Sequence, residues 1–122
     1  MAKVFLDSNF LFDLTERDIS KRKQIDGHQS ILSSLSYHIL FYIYKYKVPQ
    51  KEIIRHKDEF YIVDFTDKIL TQALEGPTKD LEDNIQLHSA AEAECDYFLT
   101  SDKNLLKMKF FGKTKIVDGL SN

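Results

Sequence analysis

The chain has 122 residues, of which 43% are hydrophobic and 30% are charged, and its formal net charge is −2. This composition excludes a disordered or fibrous protein, and the length suits one domain with a substantial core. Because the overall charge does not attract a polyanion, a nucleic-acid partner would have to be met by a local basic patch.

The first half of the chain predicts one strand and three helices. A strand over 3–6 is followed by a short helix that carries Phe10, Leu11 and Leu14 on one side. Residues 15–27 are polar and predict a mobile or substrate-facing loop. A helix begins at Ser33 or Ser34, both good N-caps, and runs to about residue 46; another begins near Pro49.

The second half alternates strands with helices. It predicts strands over 60–63, 97–100 and 115–117, and helices over 66–74, from 78–80 onward, and over 102–106. Strands that alternate with helices indicate a mainly parallel sheet. We therefore expect a single α/β domain over residues 1–122, with a central sheet of about four to five strands flanked by helices.

The cysteine content and the apolar segments favour a cytoplasmic protein. Cys95 is the only cysteine, which excludes an internal disulfide and suits a reducing compartment. No basic and apolar leader precedes the strand at 3–6, and the apolar stretch 39–44 is too short to span a bilayer. We expect no membrane partner.

Three acids that are far apart in the sequence are candidates for a common site. Asp7 closes the run Val4-Phe5-Leu6, Asp102 follows the strand at 97–100, and Asp83 lies at the start of a predicted helix. The carboxyl ends of neighbouring parallel strands open onto one crevice. A single Asp after a strand is more often a helix cap, but capping and metal binding are compatible. Converging carboxylates repel each other unless a hard divalent cation neutralises them.

Two stretches resemble the PIN domain family. Val4-Phe5-Leu6-Asp7-Ser8-Asn9-Phe10-Leu11 is similar to the family's opening, in which a strand ends in Asp, then Ser or Thr, then Asn and apolar residues. Residues 80–86, an alanine-bearing helix and Asp96-Tyr97-Phe98-Leu99-Thr100-Ser101-Asp102 resemble its C-terminal half. The resemblance covers nearly the whole chain. It implies a PIN-like fold and a metal-dependent ribonuclease, many of which are VapC-like toxins of toxin–antitoxin pairs.

Applied residue by residue, the resemblance implies that Asp7, Asp83 and Asp102 are catalytic and bind Mg²⁺ or Mn²⁺. Such an ion lowers the pKa of a water molecule and stabilises charge on the scissile phosphate. Asn9 and Thr100 match the family's polar supporting positions. We add Ser101, Glu82 and His38 as further candidates for supporting residues.

One position departs from the family pattern. The family usually has a Glu in the helix after the first polar segment, whereas here Ser33-Ser34-Leu35-Ser36-Tyr37-His38-Ile39-Leu40 contains no acid. His38 would be either an alternative ligand or phosphate contact, or a hydrogen-bonded structural residue. Glu82 adjoins Asp83, but neighbouring helical residues point about 100° apart. The missing carboxylate weakens the prediction of catalysis.

Basic and aromatic residues suggest where RNA would lie. The basic candidates for phosphate contacts are Lys21, Arg22, Lys23, Lys103, Lys107 and Lys109. The alternative is an ordinary solvated surface. In the aromatic run, Tyr42 and Tyr46 are predicted to pack in the core, with Phe41 and Tyr44 on a partner or dimer surface; base stacking is the other interpretation.

Two hypotheses follow. The first is a PIN-type endoribonuclease that cleaves RNA and is restrained by a small antitoxin protein covering the crevice, with a homodimer as a further assembly. The second is a catalytically weakened PIN-like module that binds RNA or a protein partner without cleavage. The three acids favour the first hypothesis, and the missing Glu favours the second.

Overall fold

The computed structural model describes residues 1–120 of the chain. The first half contains β1 (Lys3–Leu6), α1 (Ser8–Phe12), a π-helical segment (Asp13–Arg17), a 3₁₀ segment (Ile19–Ile25), β2 (Gln29–Ser33), α2 (Ser34–Tyr44) and α3 (Lys51–Lys57). The second half contains β3 (Tyr61–Val63), α4 (Asp67–Glu75), α5 (Leu81–Glu92), β4 (Tyr97–Leu99), α6 (Lys103–Met108), β5 (Phe110–Phe111) and β6 (Thr114–Val117). None of the helices described is both long enough and apolar enough to cross a bilayer.

The strands form one six-stranded sheet in the order β3-β2-β1-β4-β6-β5. Every neighbouring pair is parallel except β5 and β6, which are antiparallel. The predicted α/β fold with a mainly parallel sheet is confirmed. In the centre, Leu6 of β1 pairs with Leu99 of β4, so the two strands end level with each other. The residues that follow, Asp7 and Thr100, therefore emerge side by side.

The sheet is buried on both faces, and β1 contributes to both. Phe5 points to one face and stacks on Phe98 of β4, with the ring centroids 5.3 Å apart. Val4 and Leu6 point to the opposite face, as the period of a strand requires. All three β1 residues are fully shielded from solvent. Burial of such side chains stabilises the fold by about 1.5–3 kcal/mol each, so the core fixes the position at which β1 ends.

The structure contains elements that the sequence pattern did not predict. Strand β2 has only Ile31 and Leu32 as apolar residues between polar ones, and it forms because β1 and β3 pair with it on both sides. The polar segment 15–27, predicted as a loop, is mostly helical. Buried Leu14 and Ile25 anchor its two ends to the core, which explains its regular structure.

The aromatic residues of α2 are arranged differently from the prediction. Tyr42 is 79% exposed, so its assignment to the core was wrong. Buried Ser36 and Leu40 define the inward face of α2, and Tyr44 continues that face one turn later. Phe41, Tyr44 and Tyr46 all pack against the core cluster that includes Leu6 and Leu40.

Candidate functional site

Asp7 lies at the end of the central strand and is held on both carboxylate oxygens. It is the N-cap of α1, where Oδ1 accepts a hydrogen bond from the Phe10 N–H at 2.9 Å. Oδ2 accepts one from the Thr100 hydroxyl at 2.6 Å. The residue is only 7% exposed. Burial raises the pKa of Asp7; the hydrogen bonds from Thr100 and Phe10 oppose this effect, and the charges of Asp13 and Asp102 add to it.

Thr100 connects Asp7 with the start of α6. While its hydroxyl donates to Asp7, the same oxygen accepts a hydrogen bond from the Asp102 N–H at 3.0 Å. The Asp102 carboxylate caps α6 by accepting from the N–H groups of Asn104 and Leu105, at 2.8 and 3.2 Å. Free N–H groups at a helix start favour a charged carboxylate. The predicted residues Asp7, Thr100 and Asp102 therefore lie together at one end of the sheet.

Asp83 reaches the same region from the first turn of α5. Its N–H donates to Oδ1 of Asp80, the N-cap of that helix, at 2.9 Å. Partial burial and, to a smaller extent, the charges of Asp80, Asp102, Glu82 and Asp7 together raise the pKa of Asp83 to about 6. Burial also raises the pKa of Glu82, with smaller contributions from Asp80 and Asp7. These acids thus share one region of uncompensated negative charge.

Two further acids adjoin Asp7 and were not selected from the sequence. A cavity of about 90 Å³ is lined by Asp7, Asp13, Thr100 and Asp118. Asp118 directly follows β6, which is the same signal that identified Asp7 after β1. Asp13 carried no such signal, because it stands between Phe12 and Leu14 directly after α1 and does not follow a strand. The crevice is therefore richer in carboxylates than the three predicted residues.

The inward face of α2 presents a hydroxyl near this region. The Ser36 and Ser8 hydroxyls lie 2.8 Å apart, and the Gln86 amide of α5 donates to the Ser8 hydroxyl. All three residues are buried, whereas His38 points outward and is exposed. The sequence did not single out this serine–glutamine cluster. The one sequence feature that points to it is Ser36, a small polar residue four positions before buried Leu40 and therefore on the same face of α2.

The other predicted residues lie around the crevice or away from it. Asn9 is exposed, and its carbonyl accepts a hydrogen bond from Arg17 at 2.7 Å. Ser101 lines the cavity beside Asp7. Among the basic candidates, Lys21 lines this cavity, whereas Arg22 pairs with Glu59. The exposed basic candidates are Lys23, Lys103, Lys107 and Lys109.

The donor set fits a hard divalent cation in its chemistry. Asp7, Asp83 and Asp102 offer only carboxylate oxygens, the ligands that Mg²⁺ and Mn²⁺ prefer. The raised pKa values of Asp7 and Asp83 reflect buried negative charge that a cation would compensate. Over residues 1–120, however, no three acidic, histidine or cysteine side chains are gathered closely enough to enclose one ion as they stand.

Comparison with known proteins agrees with this architecture. The model of the PIN domain matches residues 4–111. A chain in the crystal structure of VapBC2 from Rickettsia felis bound to a DNA fragment from their promoter has the same fold, with a TM-score of 0.65 and 13% identity over 96% of this chain and 98% of that chain. None of the curated proteins compared with the chain matches it. Since the family model covers most of the sequence, from the first strand to the edge of the sheet, the chain belongs to the PIN domain family.

Proposed function

We propose that this protein is a metal-dependent endoribonuclease of the PIN type that hydrolyses RNA phosphodiester bonds and acts as the toxin of a toxin–antitoxin pair. The observation that carries the proposal is the Thr100 hydroxyl bridge between the Asp7 carboxylate and the Asp102 N–H at the carboxyl ends of two central parallel strands. Ligands bind at this edge of open α/β sheets. Membership of the PIN domain family supports the same activity.

Within this proposal, Asp7, Asp83 and Asp102 hold Mg²⁺ or Mn²⁺. When bound, the cation supplies a more acidic water molecule and stabilises charge on the scissile phosphate. Thr100 fixes the Asp7 carboxylate through its hydroxyl, and the start of α6 fixes Asp102. These contacts orient two ligands from rigid elements, which limits the reorganisation needed when the substrate phosphate arrives.

The remaining polar residues have supporting roles in the proposal. Ser101 lines the cavity beside Asp7, and Glu82 is close enough to Asp7 to feel its charge. Asn9 and His38 are exposed and complete the set of proposed supporting residues. Exposed basic residues bind RNA phosphates outside the crevice; they are Lys23, Lys103 and Lys107, together with Arg22 beside Glu59. The same proposal places the activity of the protein in the cytoplasm.

Two protein partners belong to the same proposal. The structural neighbour belongs to a VapBC2 complex, and on that ground we assign a small antitoxin that covers the acidic crevice. A partner with a basic segment would neutralise the charge shared by Asp7, Asp83 and Glu82. We also include a homodimer of the chain in the proposed assembly.

Calorimetric titration with Mn²⁺ tests the metal site. The wild type is expected to bind Mn²⁺ and to cleave a pooled RNA substrate only when the metal is present, and Asp83→Asn should lose both properties. Asp67→Asn is a control at the equivalent helix position: Asp67 lies in the first turn of α4 and is exposed, whereas Asp83 lies in the first turn of α5 and is partly buried. A wild-type protein that binds no Mn²⁺ at millimolar concentration would rule out the proposed site.

The second candidate function is a PIN-like module that binds RNA or a protein partner without cutting RNA. The feature that favours it is the inward face of α2, where Ser36 meets Ser8 and the helix carries no carboxylate. A site with fewer carboxylates binds a cation less tightly. RNA that stays intact in Mn²⁺ while bound to the wild-type protein would select this module over the nuclease.

A further inference from the structure

Asp13 is held by two cations beside the candidate site. The Arg17 Nε lies 2.8 Å from Asp13 Oδ1, and the Lys21 Nζ lies 2.7 Å from Asp13 Oδ2. One carboxylate therefore meets two positive charges, and the group of three side chains retains one surplus positive charge. Asp13 is partly buried, with 13% of its side chain exposed, so this charge is less screened than one on an open surface.

Arg17 is a second cationic partner that holds Asp13 in place. It is fixed by three contacts on the outer side of the segment: the ion pair with Asp13, a hydrogen bond to the Asn9 carbonyl at 2.7 Å, and a position over the Phe12 ring, 5.6 Å from its centroid. A guanidinium in such a fixed geometry serves as a structural partner for a carboxylate. Asp13 consequently keeps one cationic partner when Lys21 is replaced.

Lys21 carries its charge into the cavity that adjoins Asp7. It lies in the 3₁₀ segment three residues before Gln24, and residues at this spacing eclipse each other in a 3₁₀ helix. Both side chains line the cavity that also contains Asp7, Thr100 and Asp118. The side chain of Lys21 is about one-third exposed, so it is not sealed inside the protein. An ammonium has three donors, so a bond to Asp13 leaves others available.

The neighbouring basic residues are placed differently. Arg22 pairs with Glu59 and does not line the cavity beside Asp7. Lys23 is exposed, and it does not line the cavity beside Asp7. The sequence gives no reason to distinguish Lys21 from Arg22 and Lys23. Their positions in the 3₁₀ segment give the three side chains different surroundings. Lys21 is the member whose ammonium group lies beside the acids.

We infer that Lys21 is a substrate-contacting residue whose ammonium group binds a non-bridging oxygen of the RNA phosphate that enters the acidic crevice. The inference rests on the proposed function for the identity of the substrate, and on the Asp13 ion pairs for the placement of the charge. The Asp118 carboxylate repels a phosphodiester on this side of the crevice, and the positive charge of Lys21 offsets that repulsion. Asp13 holds the ammonium in place before the phosphate arrives, which reduces the entropy lost on binding.

The test measures the binding of a 5′-fluorescein-labelled 12-nucleotide single-stranded RNA by fluorescence anisotropy, in Ca²⁺ and over a series of salt concentrations. Lys21→Met, Lys21→Arg and the control Lys113→Met are compared with the wild type. Lys113 is exposed and directly precedes β6, at the end of the sheet opposite Asp7. We expect Lys21→Met to bind about tenfold more weakly, the loss typical of a charge-assisted hydrogen bond. Its salt dependence should fall by about 0.7 in slope, the value for one phosphate contact on a single strand. Lys21→Arg should retain most of the affinity.

Unfolding curves separate binding from folding. Because Arg17 still holds Asp13, Lys21→Met should unfold at nearly the wild-type denaturant concentration. Equal RNA affinity of Lys21→Met and Lys113→Met, or a wild type that does not bind the RNA, would overturn the inference. Lys21-dependent binding without Mn²⁺-dependent cleavage would refute the nuclease and leave the phosphate contact standing. Cleavage that is insensitive to Lys21 would refute the contact alone.

Discussion

The Thr100 hydroxyl donates to Oδ2 of Asp7 at 2.6 Å, although the two residues are 93 positions apart in the sequence. Both residues directly follow strands that end at the paired residues Leu6 and Leu99. The bond therefore connects two ends of the same buried sheet. It also supplies a hydrogen-bond donor to the Asp7 carboxylate, which is almost completely removed from solvent.

Replacement of Thr100 by Val is expected to weaken both stability and metal binding. The change keeps the shape of the side chain but leaves the buried Asp7 carboxylate without one of its donors, at a cost of about 1–3 kcal/mol in the free energy of unfolding. Urea denaturation and Mn²⁺ calorimetry measure the two effects. Thr114→Val is the matched control, because buried Thr114 donates to the Cys95 carbonyl at 2.8 Å instead of to an acid. Equal Mn²⁺ affinities of the two variants would contradict this role of Thr100.

Asp102→Asn is expected to separate metal binding from folding. Asn is as good an N-cap as Asp, so the hydrogen bonds to the N–H groups of Asn104 and Leu105 are retained. The free energy of unfolding should change by less than about 0.5 kcal/mol, while Mn²⁺ binding is lost because a carboxylate ligand is removed. Denaturation and calorimetry on the same sample test both statements. Undiminished Mn²⁺ binding would remove Asp102 from the proposed ligands.

Asp83→Asn is expected to stabilise the metal-free protein near pH 7. The pKa of Asp83 is raised to about 6 in the folded protein, so folding favours its protonated form. Its stabilising contribution is complete below the unfolded pKa near 4 and is lost as the pH rises through about 6. The gain from Asn should therefore be largest above pH 6, at most about 1 kcal/mol after solvent screening. Denaturation in EDTA at pH 4 and pH 7 provides the measurement; a gain that is larger at pH 4 would contradict the expected sign.

Cys95 is expected to resist thiol reagents while the protein is folded. It is buried, and this burial raises the pKa of its thiol to about 12, which suppresses the reactive thiolate. Reaction with a disulfide reagent at pH 8 should be slow in buffer and fast in denaturant. Rapid modification of the native protein would show that β4 and the end of α5 open easily.

Asp7 and Asp102 could be predicted because each follows an apolar strand and begins a helix, two local signals that coincide. Strand β2 could not be predicted, because its two apolar residues form a strand only when the neighbouring strands on both sides supply hydrogen bonds. The contact between Ser8, Ser36 and Gln86 was equally inaccessible. It depends on how α1, α2 and α5 pack, and neutral polar residues carry no distinctive pattern in sequence.

The level ends of β1 and β4 have a consequence for how the site tolerates insertions. Side chains of a strand alternate between faces, so a slip of one residue between these strands would exchange the environments of Phe5 and Leu6. The same slip would move Asp7 past Thr100. An insertion that causes this slip therefore disrupts the core packing and the carboxylate arrangement at the same time. Cellular quality control that removes misfolded protein would also remove molecules with a misaligned site.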